Sequence, residues 1–75
     1  MARVTMLGRL ADAAGWRERV VEAETLAGLR AAIGAAHPGL ALDGVFVAVN
    51  DALVRGDVAL RPSDEVAFMP PMSGG

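Results

Sequence analysis

The sequence has 75 residues, 53% of them apolar, with no cysteine, one histidine and a formal net charge of −2. A chain of this length forms one domain at most, near the lower limit for an independent hydrophobic core. The absence of cysteine excludes disulfides, thiolate metal sites and iron–sulfur ligands, and the acidic balance argues against nucleic acid as the main partner. The longest apolar run, Val45 to Val49, is too short to span a membrane. The first residues also lack a signal-peptide pattern, so we expect a cytoplasmic protein with no membrane partner.

The first third of the chain predicts two strands joined by a short helical stretch. Alternation of apolar and polar residues predicts a strand over about residues 2–8. Residues 10–14 are alanine-rich and end at Gly15, which predicts one or two helical turns with a glycine stop. A second strand is predicted over residues 16–23. Its charged faces are typical of an edge strand, and the short connection favours an antiparallel pair.

An apolar stripe with spacings of three and four predicts the main helix. The stripe consists of Leu26, Leu29, Ile33 and Ala36. Thr25 is a favourable N-cap, and His37 before Pro38 predicts the end of the helix, since the residue before proline avoids the α region. His37 has two interpretations. It is either a catalytic base, for which no partner lies nearby in sequence, or a residue whose charged form interacts favourably with the helix dipole.

The last thirty residues predict three further strands. Val45–Val49 is apolar on both faces, which is typical of a central strand covered on both sides. Asn50-Asp51 predicts a turn, and Ala52–Val54 begins a returning strand. Glu65–Met69 predicts the final strand. Asp64 and Glu65 resemble a catalytic carboxylate pair, but neighbouring strand residues point to opposite faces, which favours a turn role for Asp64.

The order strand, strand, helix, strand, short strand, strand predicts an α+β protein with the β-grasp, or ubiquitin-like, fold. We expect a mixed sheet covered on one face by one main helix, with the domain over residues 1–69 and a flexible, extended tail over residues 70–75. The last strand is expected to lie parallel beside the first. Alternation then leaves Leu7, Met69 and part of Val45–Val49 on an open face, where an apolar patch favours partner binding. The alternative is that scattered surface apolar residues have no function.

The C-terminal tail contains the most informative residues. Pro70 and Pro71 fix φ and favour an extended path, whereas Gly74 and Gly75 lack a Cβ and fit a narrow slot. The C-terminal carboxylate of Gly75 is therefore the best candidate for covalent chemistry. The alternative interpretation is a frayed terminus. All seven basic residues are arginine, so an activated Gly75 would meet no lysine amine of its own chain.

Three segments resemble the small subunit of molybdopterin synthase. They are Val47-Ala48-Val49-Asn50, Leu53-Val54 and the run from Asp64 through Pro70-Pro71-Met72-Ser73-Gly74-Gly75. A terminal Gly-Gly is shared with ubiquitin-like modifiers and the thiamine-pathway sulfur carrier. The acidic pair, the strand and the Pro-Pro-x-x-Gly-Gly ending together are more specific to the molybdopterin branch.

The resemblance implies a sulfur carrier that is not catalytic on its own and binds no cofactor. An E1-like enzyme would use ATP to adenylate Gly75, and a persulfide donor would convert it into a thiocarboxylate. The large subunit of molybdopterin synthase would then pass the sulfur to a cyclic pterin precursor, within a heterotetramer, to build the dithiolene that holds molybdenum or tungsten. Gly74 and Gly75 would form the reacting end. The predicted partner-binding residues are Leu7, Phe68, Met69, Pro70, Pro71, Met72 and Ser73.

Two alternatives remain open from the sequence. The chain is a sulfur carrier for another pathway, such as thiamine synthesis, tRNA thiolation or sulfur-amino-acid synthesis. Alternatively, it is a β-grasp binding module whose Gly-Gly ending is incidental.

Overall fold

The computed structural model describes residues 2–71, which form a five-stranded mixed sheet and two helices. The strands lie in the order β2-β1-β5-β3-β4; β1 and β5 run parallel, and the other neighbouring pairs run antiparallel. This architecture confirms the predicted β-grasp fold, although β5 rather than the third strand occupies the centre. The elements are β1 (Ala2–Met6), α1 (Arg9–Ala14), β2 (Glu18–Val21), α2 (Leu26–Ala36), β3 (Phe46–Val49), β4 (Ala52–Val54) and β5 (Glu65–Met69).

The first two strands are shorter than predicted. β1 ends at Met6 because Gly8 adopts φ 57° and ψ −137° in the turn into α1, a conformation that interrupts an extended strand. β2 covers only residues 18–21, because its partner β1 pairs with it from Ala2 to Thr5. β2 is nevertheless the edge strand, and it pairs antiparallel with β1 as the sequence predicts.

The hydrophobic core lies between α2 and one face of the sheet. The inward side chains of β1 and β5 are at most 1% exposed, and burial of each valine, methionine or phenylalanine among them contributes roughly 1.5–3 kcal/mol. They pack in one cluster with the predicted apolar stripe of α2. Ala36 is the exception: it is the last residue of α2, lies at the margin of the stripe and is exposed. The central members are Val4, Met6, Leu26, Leu29, Ile33, Val66 and Phe68.

β3 is not covered on both sides, and that prediction is wrong. It lies between β5 and β4, and Val47 points into the core while Phe46 on the other face is 49% exposed. A single long helix covers one face of the sheet, so the alternate side chains of β3 remain on the open face.

Trp16 connects the start of β2 to the end of α2. Its indole Nε1–H donates a hydrogen bond to His37 Nε2 at 3.0 Å, and the Arg19 guanidinium lies 4.9 Å from the indole ring centroid. This hydrogen bond gives His37 a structural role, because it joins the end of α2 to the segment before β2. The predicted interaction of His37 with the helix dipole stays a prediction.

Asn50 and Asp64 join the β3–β4 turn to the start of β5. Asn50 and Asp51 have φ of 50° and 69°, as a two-residue hairpin turn with left-handed central residues requires. Asn50 Nδ2 donates to Asp64 Oδ1 at 2.9 Å, and the Glu65 amide donates to Asn50 Oδ1 at 3.0 Å. The Arg61 amide donates to Asp64 Oδ2 at 2.7 Å. These bonds confirm the turn role of Asp64.

Replacement of the α2 N-cap is expected to destabilise the fold. Thr25 Oγ1 accepts a hydrogen bond from the Gly28 amide at 3.0 Å, and this bond satisfies a donor of the first helical turn. Thr25→Ala should lower the free energy of unfolding by about 1 kcal/mol, as measured by urea denaturation. Thr25→Ser retains the accepting oxygen and serves as the control. Equal losses in the two variants would contradict the capping role.

Acidification is expected to weaken the Asn50–Asp64 connection. The hydrogen bond from the Arg61 amide, followed by the one from the Asn50 side chain, lowers the pKa of Asp64 below its ordinary value. The contribution is therefore complete above the unfolded pKa of about 3.9 and is lost as the pH falls through the lower, folded value. Urea unfolding should show Asp64→Asn to be less stable than the wild type near neutral pH, with a difference that shrinks on acidification.

Asp12→Asn provides the control for this measurement, since it removes an exposed carboxylate from α1. A difference between Asp64→Asn and the wild type that stays constant across the acidic range would show that the Asp64 charge does not stabilise the fold.

Candidate functional site

The C-terminal tail leaves the domain beside the turn between β1 and α1. The Leu7 amide donates to the Phe68 carbonyl at 3.0 Å, which extends the parallel pairing to the end of β5. Pro70 follows directly and packs against Gly8, where an added Cβ would lie 3.2 Å from Pro70 Cγ. The positive φ of Gly8 and this close approach both favour glycine. The path of the tail is thus fixed as far as Pro70.

The predicted tail residues are only partly described. Pro70 is half-buried and Pro71 is exposed. Met72, Ser73, Gly74 and Gly75 lie outside the described residues, so their predicted roles stay predictions.

An apolar patch occupies the open face next to the tail. Strand register places Phe46 beside Met69 and Ala48 beside Ala67 on this face, with Leu53 beside Ala48. Leu7 is 40% exposed and Leu53 is 69% exposed. We call this surface the open-face patch. Its members are Leu7, Phe46, Ala48, Leu53, Ala67 and Met69.

The other end of the open face is charged. Arg3 and Glu65 are neighbours across the β1–β5 pair, and their side chains form an exposed ion pair of 3.9 Å. Such a pair contributes little to stability. The open face therefore changes from charged to apolar toward the tail, which suits a partner that binds the patch and the tail together.

Phe68 does not belong to this surface, although the sequence places it among the partner-binding residues. Its side chain is fully buried under α2, with the Arg30 guanidinium 6.0 Å from its ring centroid. The patch members that the sequence prediction did not name one by one are Phe46, Ala48, Leu53 and Ala67, although it placed part of Val45–Val49 on this face. The alternation of β3, with Val47 inward, would have identified Phe46, because the central apolar run must expose every second side chain when one helix covers the sheet.

The described part of the chain was also searched for metal-binding and membrane-spanning features. Over residues 2–71 no group of three or more His, Asp and Glu side chains is placed to hold a metal ion. Neither helix in the same range is long and apolar enough to cross a membrane. Asp64, the one described group with a clearly lowered pKa, is occupied in a structural turn.

Known structures share this architecture. The small archaeal modifier protein 1 of Methanosarcina acetivorans has a TM-score of 0.85 at 20% identity, with 99% of this chain and 95% of that chain covered, a likeness that shows the fold alone. The modifier protein 1 of Haloferax volcanii has a TM-score of 0.81 at 27% identity, with 99% and 98% covered. A putative molybdopterin converting factor subunit 1 from Pyrococcus furiosus has a TM-score of 0.81 at 26% identity, with 95% and 97% covered.

A search of curated proteins found no match. In contrast, residues 4–75 match the ThiS family, and this match includes the C-terminal Gly-Gly. Together with the β-grasp sheet and the fixed exit of the tail, the match over almost the whole sequence shows that the chain belongs to the ThiS family of ubiquitin-like sulfur carriers.

Proposed function

We propose that this chain is the sulfur-carrying small subunit of a molybdopterin synthase, located in the cytoplasm. The observation that carries the proposal is the position of the tail, which leaves the domain beside an apolar patch and carries Gly74-Gly75. The likeness to a putative molybdopterin converting factor subunit from Pyrococcus furiosus supports the choice of pathway. ThiS-family carriers work with E1-like activating enzymes, and one such enzyme is the proposed first partner.

The proposed chemistry takes place on the Gly75 carboxylate. A carboxylate oxygen attacks the α-phosphorus of ATP, which releases pyrophosphate and leaves an acyl-adenylate. The terminal sulfur of a donor persulfide then attacks the acyl carbon, and AMP departs. A thiol cleaves the resulting sulfur–sulfur bond, so that the thiocarboxylate is released and the donor is left as a disulfide.

The large synthase subunit would use this thiocarboxylate as a nucleophile toward a cyclic pterin precursor. It would bind the open-face patch and take the tail into its pocket, so that binding energy from the domain positions the sulfur. This chain supplies the reacting atom and the docking surface. The acid–base groups and the oxyanion stabilisation would belong to its partners.

A second function is favoured by one of the similar structures. The protein from Haloferax volcanii, at 27% identity, is described as a small archaeal modifier protein. A modifier would use the same adenylated Gly75 but pass it to an amine of another protein instead of accepting sulfur. The two functions differ in the product formed after activation.

A change at Gly75 is expected to abolish sulfur loading. With ATP, an E1-like enzyme and a persulfide donor, intact-mass analysis of the wild type should show exchange of one C-terminal oxygen for sulfur. Gly75→Val should lower the rate by about 100-fold or more, because a Cβ displaces the carboxylate from the activating site. Gly34→Val is the control, since a Cβ at Gly34 has no neighbour within 4 Å.

Four outcomes separate the functions. Loading of Gly75→Val at the wild-type rate would contradict the carrier proposal. Transfer of loaded sulfur to a cyclic pterin precursor by a large subunit would support the molybdopterin pathway, whereas failure there with success in another thiolation assay would assign another pathway. Conjugates to protein amines without sulfur exchange would favour the modifier function.

The open-face patch is expected to bind the partner. Phe46→Asp or Leu53→Asp should raise the Kd for the large subunit by about 10- to 30-fold, which corresponds to about 1.4–2 kcal/mol of binding energy. Both side chains are exposed, so the free energy of unfolding should change by less than about 0.5 kcal/mol. Isothermal titration calorimetry and urea denaturation measure the two quantities.

Val20→Asp is the matched control for these variants. Val20 is 57% exposed and lies on the same face, but in the edge strand β2 beside Arg3, away from the tail. Equal loss of affinity in Val20→Asp and Phe46→Asp would show that added negative charge, rather than the patch, weakens binding.

A further inference from the structure

A groove opens at the end of the molecule from which the tail leaves. One wall is α1, the opposite wall is the segment of residues 39–45 before β3, and Pro70 and Pro71 close one side. Its volume is about 610 Å³, and apolar side chains from three parts of the chain line it. We call it the tail-root groove. Its apolar lining includes Leu10, Leu40, Val45, Pro70 and Pro71.

The reach of the tail limits where an enzyme that acts on Gly75 must bind. Gly75 lies four residues after Pro71 in the sequence. Four fully extended residues span at most about 14 Å. An active site that holds the Gly75 carboxylate therefore lies within that distance of Pro71. Any such enzyme must approach the end of the domain where the tail-root groove opens.

The rim of the groove indicates the chemistry of the occupant. Asp12 on α1 and Asp43 on the facing segment are exposed carboxylates, and Arg9 is the cation beside them. Within residues 2–71 the ion pair formed is that of Arg3 with Glu65, so neither rim carboxylate has a cationic partner there. The tail-root groove, apolar inside and acidic at its rim, is therefore complementary to an apolar side chain that is flanked by lysine or arginine.

We propose that the tail-root groove binds the activating enzyme, by accepting an apolar side chain with an adjacent basic residue from the enzyme that adenylates Gly75. This inference rests on the proposed function. The enzyme would hold the domain on both sides of the tail, with the open-face patch on one side and the groove on the other. A domain held at the patch alone could rotate about that contact. A second contact at the groove would prevent this rotation and so position Gly75 more precisely in the active site of the enzyme.

Two variants that fill the groove test the proposal. Ala13 lies on α1 and Ala41 lies on the facing segment; both line the groove and are exposed, so larger side chains there need not disturb the core. Ala13→Trp and Ala41→Trp should each raise the KM for the carrier by about 10-fold in ATP–pyrophosphate exchange with an E1-like enzyme. The kcat should remain within about twofold, since the tail itself is unchanged.

The matched control is Ala35→Trp, which makes the same change at an exposed position of α2 outside the groove. Charge is tested by the double variant Asp12→Asn with Asp43→Asn. This variant should raise KM and reduce its dependence on salt concentration. Glu22→Gln with Glu24→Gln removes the same charge from exposed positions outside the groove and should leave KM unchanged.

The outcomes distinguish this inference from the proposed function. If the wild type supports no ATP–pyrophosphate exchange and gains no adenylate at Gly75, the proposed function fails. If the wild type is adenylated, Phe46→Asp raises KM, and both groove-filling variants behave as the wild type, the groove inference alone is overturned. Circular dichroism verifies that all variants are folded. The two tryptophans are introduced in different parts of the chain, so local unfolding in one variant alone does not decide the result.

Discussion

The parallel pairing of β1 with β5 is the constraint from which the rest of the structure follows. Parallel neighbours cannot be joined by a hairpin, so the chain must cross over, and α2 lies in that crossover while it covers one face. One helix leaves the other face open, which accounts for the exposed Phe46 and Leu53. The same pairing brings the ends of β1 and β5 together, so that the tail, the open-face patch and the tail-root groove meet at one end of the sheet.

The two ends of the sheet carry different kinds of interaction. At the end away from the tail, the Asn50 side chain donates a hydrogen bond to Asp64, and both side chains accept hydrogen bonds from neighbouring backbone amides. These bonds fix the start of β5. At the tail end, the contacts are apolar and incomplete, as between Pro70 and Gly8 or around the half-exposed Leu7. Internal hydrogen bonding therefore stabilises one end, while the other end leaves apolar surface exposed.

Sequence patterns predicted the helices, strands and turns well, because each of these patterns depends on the chemistry of a few neighbouring residues. The N-cap at Thr25, the turn at Asn50-Asp51 and the bounds of β5 follow from residue preferences over a few positions. The patterns failed where tertiary pairing decides the outcome. Periodicity cannot show that β5 is central, or that His37 receives a hydrogen bond from Trp16, twenty-one residues away. The groove was also beyond prediction, since it combines α1, a connecting segment and the tail.

The parallel register also separates the two ends of the chain. Arg3 pairs with Glu65 and Met6 with Phe68, so β1 begins at the end of the sheet opposite to Met69. A five-residue strand is roughly 15 Å long, comparable to the reach of the tail beyond Pro71. An affinity tag or surface attachment placed before Ala2 would leave the molecule on the side away from the groove and the patch. Immobilised in that orientation, the domain would present the patch and the groove outward, whereas a tag after Gly75 would block the carboxylate that is proposed to react.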